Sequence, residues 1–267
     1  MNYGAVNLYY IVGIGCFIAG ALAQYVFLIY LWPNRHKTYI WIYKFYNHRK
    51  LGEPCKTDLV LDRDGYSLGY IFNRKCAAWV AYIISKGSIG VDVERDDSFY
   101  ADKDIPKPYR VEPEDFRNTG YDKGHLAPSA SIDFSRKSNE QTFAMSNIAL
   151  QHPKLNRQVW GSLENTIRNW ACCKGKLMII AGPIYSDNPK YINNIPLPSA
   201  FYKVVYSFKH NRSIGFIFPN ENIRANKLWD YVMSVKNVEK ETGQIFFSKL
   251  SNKKKKAKGE LDVAWWK

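Results

Sequence analysis

Asp122-Lys123-Gly124-His125-Leu126-Ala127-Pro128, read with Asn156, Glu164 and Arg168 further along, decides which architecture to look for. A histidine beside an acid, in a turn punctuated by Gly and Pro, can serve as a general base. An ordinary imidazole, with a pKa of about 6.5, is largely neutral at pH 7 and able to accept a proton. The helix expected over residues 156–170 rests on Leu155, Val159, Leu163 and Ile167, apolar at i, i+4 spacing. Asn156, Trp160, Glu164 and Arg168 form a second i, i+4 stripe beside it, so three polar groups face one cleft. There an amide oxygen can ligate a hard cation, and a guanidinium can hold phosphate.

On both sides of that helix the chain reads as strands. Runs at 59–61, 66–72 and 79–84 are rich in β-forming residues and separated by Asp-Gly and polar turns. The same signal returns at 176–180, 202–208 and 213–218. The expected fold class is α+β, with antiparallel sheets flanking a central helix, in a domain over residues 53–250.

The 267 residues fit one large domain more simply than two small ones, and no internal repeat suggests an array. With 38 Lys+Arg against 24 Asp+Glu, the net charge of +14 attracts polyanions, either nucleic acid or anionic lipid. Part of that charge, Lys253 to Lys256, lies in a basic tail over 251–267 and reads as a solvated end. Cys16, Cys55, Cys76, Cys172 and Cys173 include no CxxC pair, which argues against a zinc site. Cys55 and Cys76 are the first pair to test for a disulfide, with reduced core thiols the alternative.

Residues 8–32 carry no charge and are long enough to cross a hydrocarbon core, so residues 1–33 are expected to form a membrane-anchoring transmembrane helix. A cleaved signal peptide is the competing reading. Ala21-Leu22-Ala23 suits a cleavage site, but no Lys or Arg precedes the apolar run, which also continues past that site. The basic, aromatic linker at 34–52 carries Arg35, His36, Lys37, Lys44, Arg49 and Lys50. By the positive-inside rule these would hold the bulk of the chain in the cytoplasm, unless the stretch lies on a lipid surface.

Several blocks resemble, in order, the DNA/RNA non-specific endonuclease family. They are 122–128, then Thr142-Phe143-Ala144-Met145-Ser146-Asn147-Ile148 with Gln151, then Asn156, Trp160, Leu163 and Glu164. Later blocks are Ala181-Gly182-Pro183-Ile184-Tyr185, Pro198 to Val204, and Thr242-Gly243 with Phe246-Phe247. The resemblance implies a ββα-metal active site with His125 as base. Asn156 would be the sole protein ligand of a hydrated Mg2+, for which Mn2+ can substitute. Asp122, Glu164 and Arg168 join the catalytic group, Glu164 by holding a metal-bound water and Arg168 by stabilising phosphate. Lys123, Arg95, Asn147 and Gln151 match substrate-binding positions, although Asn147 and Gln151 also suit a cap on the turn before the helix. The family usually has arginine where this chain has Lys123, which offers a point charge without a bidentate fork.

The resulting expectation is a metal-dependent endonuclease acting on DNA and RNA with little sequence preference. The other class in contention is a membrane-tethered nucleic-acid-binding protein that has lost catalysis. A non-specific nuclease in the cytoplasm would attack its own genome. The domain is therefore expected outside the cytoplasm, or else beside a protein inhibitor. The resemblance also implies a homodimer.

Overall fold

Apolar runs with many β-branched and aromatic residues become strands here because such side chains fit a pleated surface covered on both faces. The computed structural model describes residues 46–90, 93 and 98–267, all within a unit spanning Tyr43–Lys267. Its strands are β1 (Leu59–Asp62), β2 (Ser67–Ile71), β3 (Cys76–Ile84), β4 (Asp122–His125), β5 (Ile148–Gln151), β6 (Leu177–Ile184), β7 (Tyr191–Ile192), β8 (Ile195–Pro196), β9 (Ala200–Ser207), β10 (Arg212–Pro219) and β11 (Val232–Met233). The helices are α1 (Arg136–Gln141), α2 (Gly161–Cys173), α3 (Val235–Thr242), α4 (Asn252–Lys255) and α5 (Val263–Trp266).

The strands on either side of the helix do not form separate sheets. They join through antiparallel pairing of β3 with β6, where Val80 faces Ala181 and Ile84 faces Leu177. One sheet results, in the order β1-β2-β3-β6-β9-β10-β11, with every neighbouring pair antiparallel. Pairing these two apolar strands satisfies backbone groups that would otherwise stand along an exposed edge.

Period-two alternation divides the sheet into two faces. Tyr202, Val204 and Tyr206 of β9, with Trp79, Ala81, Ile83, Met178 and Ile180, pack against α3 and against Phe246, Phe247 and Leu250. The opposite face carries Phe201 and Phe218, whose rings lie 5.7 and 6.3 Å from that of Trp160. The long helix sits on this second face. It is not regular throughout: a π-helical turn over Leu155–Trp160 runs into α2.

That widened turn alters which residues share a face. On a straight α-helix the eight residues from Asn156 to Glu164 leave the two about 80° apart. An i→i+5 turn takes up part of that offset and brings the pair closer to one line.

The segment 251–267 is folded, with its lysine run solvated. Lys253, Lys254, Lys255 and Lys256 are exposed, but Ala257 and Trp266 are buried. The Trp266 ring packs 4.6 Å from that of Trp170. Ser213 Oγ donates to the Ala257 carbonyl at 2.7 Å, and Lys258 Nζ donates to Glu239 Oε1 at 2.6 Å. Aromatic burial at the end of the chain outweighs the like-charge run before it.

Cys55, Cys76, Cys172 and Cys173 are free thiols. Cys76 donates to the Ile148 carbonyl at 3.7 Å, joining β3 to β5, and burial pushes its thiol pKa up to about 11. Among the described residues no helix is long and apolar enough to cross a membrane. The anchor expected over 8–32, Cys16 and Arg95 lie outside the described residues.

Two measurements follow from this packing. Trp266→Ala is expected to lower unfolding free energy by about 3–5 kcal/mol, while Lys→Gln changes at 253–256 stay within about 0.5 kcal/mol each, read by urea titration. The second concerns His48, whose Nδ1 accepts from Ile83 N at 3.1 Å. Burial lowers its pKa to about 4, against smaller raising effects of Asp64 and Asp62. The unfolded imidazole takes up a proton near pH 6.5 and the folded one only near 4. Stability is therefore complete above pH 6.5 and falls by about 3 kcal/mol as pH drops towards 4. His48→Gln should remove that slope; an unchanged slope would assign it to other groups.

Candidate active site

Strands β4 and β5 form a short antiparallel ribbon, with Asp122 opposite Gln151 and His125 opposite Ile148. Gly124 is needed in it, because a Cβ there would lie 2.3 Å from Gln151 Oε1 and 2.6 Å from Gln151 Cβ. The chain leaving His125 is pinned by Asn147. Its Oδ1 accepts from Ala127 N at 2.9 Å, and its Nδ2 donates to the Ala127 and Thr142 carbonyls at 2.9 and 2.8 Å. Trp160 Nε1, from the helix, donates to the His125 carbonyl at 3.3 Å. The imidazole packs beside Phe99 and Phe143, with ring centroids 5.5 and 5.0 Å away.

The ribbon and the helix border a cleft of about 340 Å³ lined by Lys123, His125, Asn156, Glu164 and Arg168 together with Phe99. Asn156 stands on the π-helical turn, and its Nδ2 donates to Asp122 Oδ2 at 2.9 Å. With the amide nitrogen so engaged, Oδ1 is the donor atom left for a cation. Arg157 grips the same carboxylate bidentately, Nε to Oδ2 at 2.8 Å and Nη2 to Oδ1 at 2.7 Å. Burial alone would raise the Asp122 pKa. Hydrogen bonds from Arg157 and Asn156, with the charges of Arg157 and His152, outweigh it and hold the carboxyl below its usual range.

Glu164 is anchored from beneath by Lys203 on β9, Nζ to Oε1 at 3.1 Å. The ammonium also lies 4.0 Å from the centre of the Trp160 ring. Burial lowers the Lys203 pKa, and the Glu164 charge opposes that shift without cancelling it. Arg168 donates from Nη1 to Ser131 Oγ at 3.4 Å and from Nη2 to Asn165 Oδ1. Lys123 Nζ sits 5.0 Å from the centre of the Phe99 ring.

Among the described residues no group of three or more His, Cys, Asp or Glu could hold a metal ion. The donor set at the cleft, one amide oxygen and a nearby carboxylate, fits a hydrated hard cation that keeps several waters and takes phosphate oxygens.

Of the residues expected at the site, His125, Asn156, Glu164, Arg168 and Lys123 come together. Asp122 stands behind Asn156 and positions it. Asn147 and Gln151 were expected to touch substrate, but they are buried to 0% and 1% exposure and do not line the cleft. The polar side chain of Asn147 is instead spent on the loop backbone. Arg157 and Lys203 escaped the sequence reading. A lysine inside the apolar strand 201–207 was the available signal for the latter, since lysine is almost never fully buried without a partner.

Residues 47–253 match the DNA/RNA non-specific endonuclease family. The chain belongs to that family. A nuclease of Nostoc sp. is 32% identical, over 76% of this chain and 81% of its own length. One from Syncephalastrum racemosum is 30% identical, over 77% and 72% respectively. Human mitochondrial endonuclease G is 27% identical, over 74% and 72%. The fold is that of a solved structure of the EndoG/EndoGI complex, with TM-score 0.70 and 24% identity over 78% of this chain and 92% of that one. Like its relatives in the DNA/RNA non-specific endonuclease family, the chain is a hydrolase acting on nucleic acids.

The burial of Asn147 separates a structural role from substrate contact. Asn147→Ala is expected to cost about 3 kcal/mol of stability, from three lost hydrogen bonds and the backbone groups left unpaired. The KM for nucleic acid should stay within about twofold in the folded fraction, since phosphate contacts are made elsewhere. A raised KM with unchanged stability would return Asn147 to the substrate surface.

Proposed function

We propose that the chain is a metal-dependent endonuclease cutting DNA and RNA at phosphodiester bonds, with His125 as general base. The observation that carries this reading is the convergence of His125 and Asn156 on one cleft, with the Asn156 amide nitrogen tied to Asp122. His125 takes the proton from a water attacking phosphorus. Asn156 Oδ1 would hold Mg2+, or Mn2+ in its place, and Glu164 would orient water beside that ion. When bound, the cation offsets negative charge on the phosphate and the leaving oxygen. Arg168 and Lys123 hold phosphate as fixed cations, Lys123 as a point charge beside Phe99. Because such contacts carry no base information, little sequence preference is expected.

Tethering through residues 8–32, with the domain outside the cytoplasm, is part of the same proposal and rests on the uncharged apolar run. Pairing of two chains and control by a protein inhibitor are proposed from likeness to the family.

Supercoiled-plasmid nicking tests the reading. The wild type should cut with Mg2+ and stop with EDTA, and His125→Ala should lose about 10²–10⁴-fold in rate without losing its fold. Asn156→Ala should require more divalent ion for half-maximal rate. Binding of plasmid without cleavage in Mg2+, Mn2+ and every other divalent ion tried would reject the assignment.

A further inference from the structure

Lys203 lies within β9 on a sheet face otherwise made by Phe201, Phe216 and Phe218, and its side chain is 0% exposed. Its ammonium meets Glu164 Oε1 at 3.1 Å and the face of Trp160 at 4.0 Å. Removing an ammonium from water costs several kcal/mol, and an apolar side chain of similar volume would fill this place without that cost. Packing therefore does not account for a lysine here. The carboxylate it holds is at the cleft wall, 14% exposed, and among the described residues Oε2 of Glu164 has no protein hydrogen bond. Trp160, which takes the ammonium on its ring face, also donates Nε1 to the His125 carbonyl at 3.3 Å. One buried cation thus touches both Glu164 and the ring that holds the His125 backbone.

We propose that Lys203 is a positioning residue of the active site, fixing Glu164 through Oε1 so that Oε2 remains for a water or cation in the cleft. This rests on the reading of Glu164 given above. The ammonium restrains the carboxylate from below, and Trp160 keeps sheet, helix and ribbon in register. A lysine suits the task better than arginine. It meets the carboxylate as a point donor over the Trp160 ring, whereas the larger planar guanidinium of arginine would push the carboxylate outward.

The test uses the full chain and compares Lys203→Met, Lys203→Arg, Glu164→Gln and the Lys203→Met/Glu164→Gln pair. Readouts are kcat and KM on plasmid, thermal melting, and Mn2+ binding without nucleic acid, followed by electron paramagnetic resonance. Lys203→Met should lower kcat by about tenfold or more with KM within about twofold, and weaken Mn2+ binding by about threefold or more. Lys203→Arg should fall between it and the wild type. In the Glu164→Gln background, Lys203→Met should change kcat by less than about twofold, since its partner is already lost.

Lys203→Met with wild-type kcat and Mn2+ affinity, whatever its melting temperature, would overturn the proposal. So would a full effect persisting in the Glu164→Gln background. If Lys203→Met does not fold, Lys203→Arg decides: indistinguishable kcat and Mn2+ affinity overturn the proposal, and a loss of about threefold in both supports it. A Glu164→Gln variant with wild-type kcat removes the assigned role of Glu164 and this proposal with it. A strong Glu164→Gln defect beside a silent Lys203→Met removes this proposal alone.

Discussion

The carboxylate of Asp122 is where the two halves of the site are fastened together. It belongs to the β4–β5 ribbon, yet both its oxygens are taken by residues of the helical turn, Asn156 and Arg157. With the Trp160 bond to the His125 carbonyl, that fastening sets the separation of His125 on the ribbon from Asn156 on the helix, which matters if the proposed base and cation ligand are to share one phosphate. Arg157 is largely exposed, and an exposed ion pair contributes little to stability. The value of this pair lies in direction: it keeps Asp122 charged and oriented, and so dictates which end of the Asn156 amide is turned to the ribbon.

The π-helical turn serves the same constraint from the other side. A side chain on a uniform α-helix cannot be rotated relative to one two turns later without breaking the apolar stripe that packs on the sheet. Widening a single turn does this while Leu155, Val159, Leu163 and Ile167 all stay buried. The cost is poorer hydrogen-bond geometry over one turn, and such turns are frequent at functional sites.

This division explains what was legible beforehand. Strands at 59–61, 79–84 and 202–208 could be read because their side chains serve the sheet whichever neighbours they find. The cleft residues His125, Asn156, Glu164 and Arg168 could be read because they fall within blocks that resemble the family in order; a lone histidine and an i, i+4 Glu-to-Arg pair are by themselves ordinary features. Sheet order was hidden, since nothing local specifies that β3 will pair with β6. Lys203 was hidden because its partner depends on which helix face overlies β9. The π-helical turn leaves the i, i+4 apolar pattern nearly intact, so periodicity cannot reveal it. At the end of the chain the four lysines are solvated as expected, but their weight in the composition hid the buried tryptophan beyond them that docks the segment. Asn147 was ambiguous by residue type: a buried asparagine holding backbone and an exposed one holding substrate look alike in a sequence.

Among the described residues the two acids at the cleft each have a cation, Asp122 with Arg157 and Glu164 with Lys203. These pairs matter for a protein whose ligand is a polyanion. Uncompensated carboxylates beside a phosphate site would repel the substrate and, if several bound one cation directly, would cancel its charge. The proposed direct ligand, Asn156, is a neutral amide and would leave a divalent ion nearly its whole charge for phosphate oxygens. Lys123 and Arg168 then add to that field instead of offsetting acidic neighbours. The net charge of +14 brings nucleic acid to the surface without regard to sequence, and the paired acids keep the same sign of potential down to the bond that is cut.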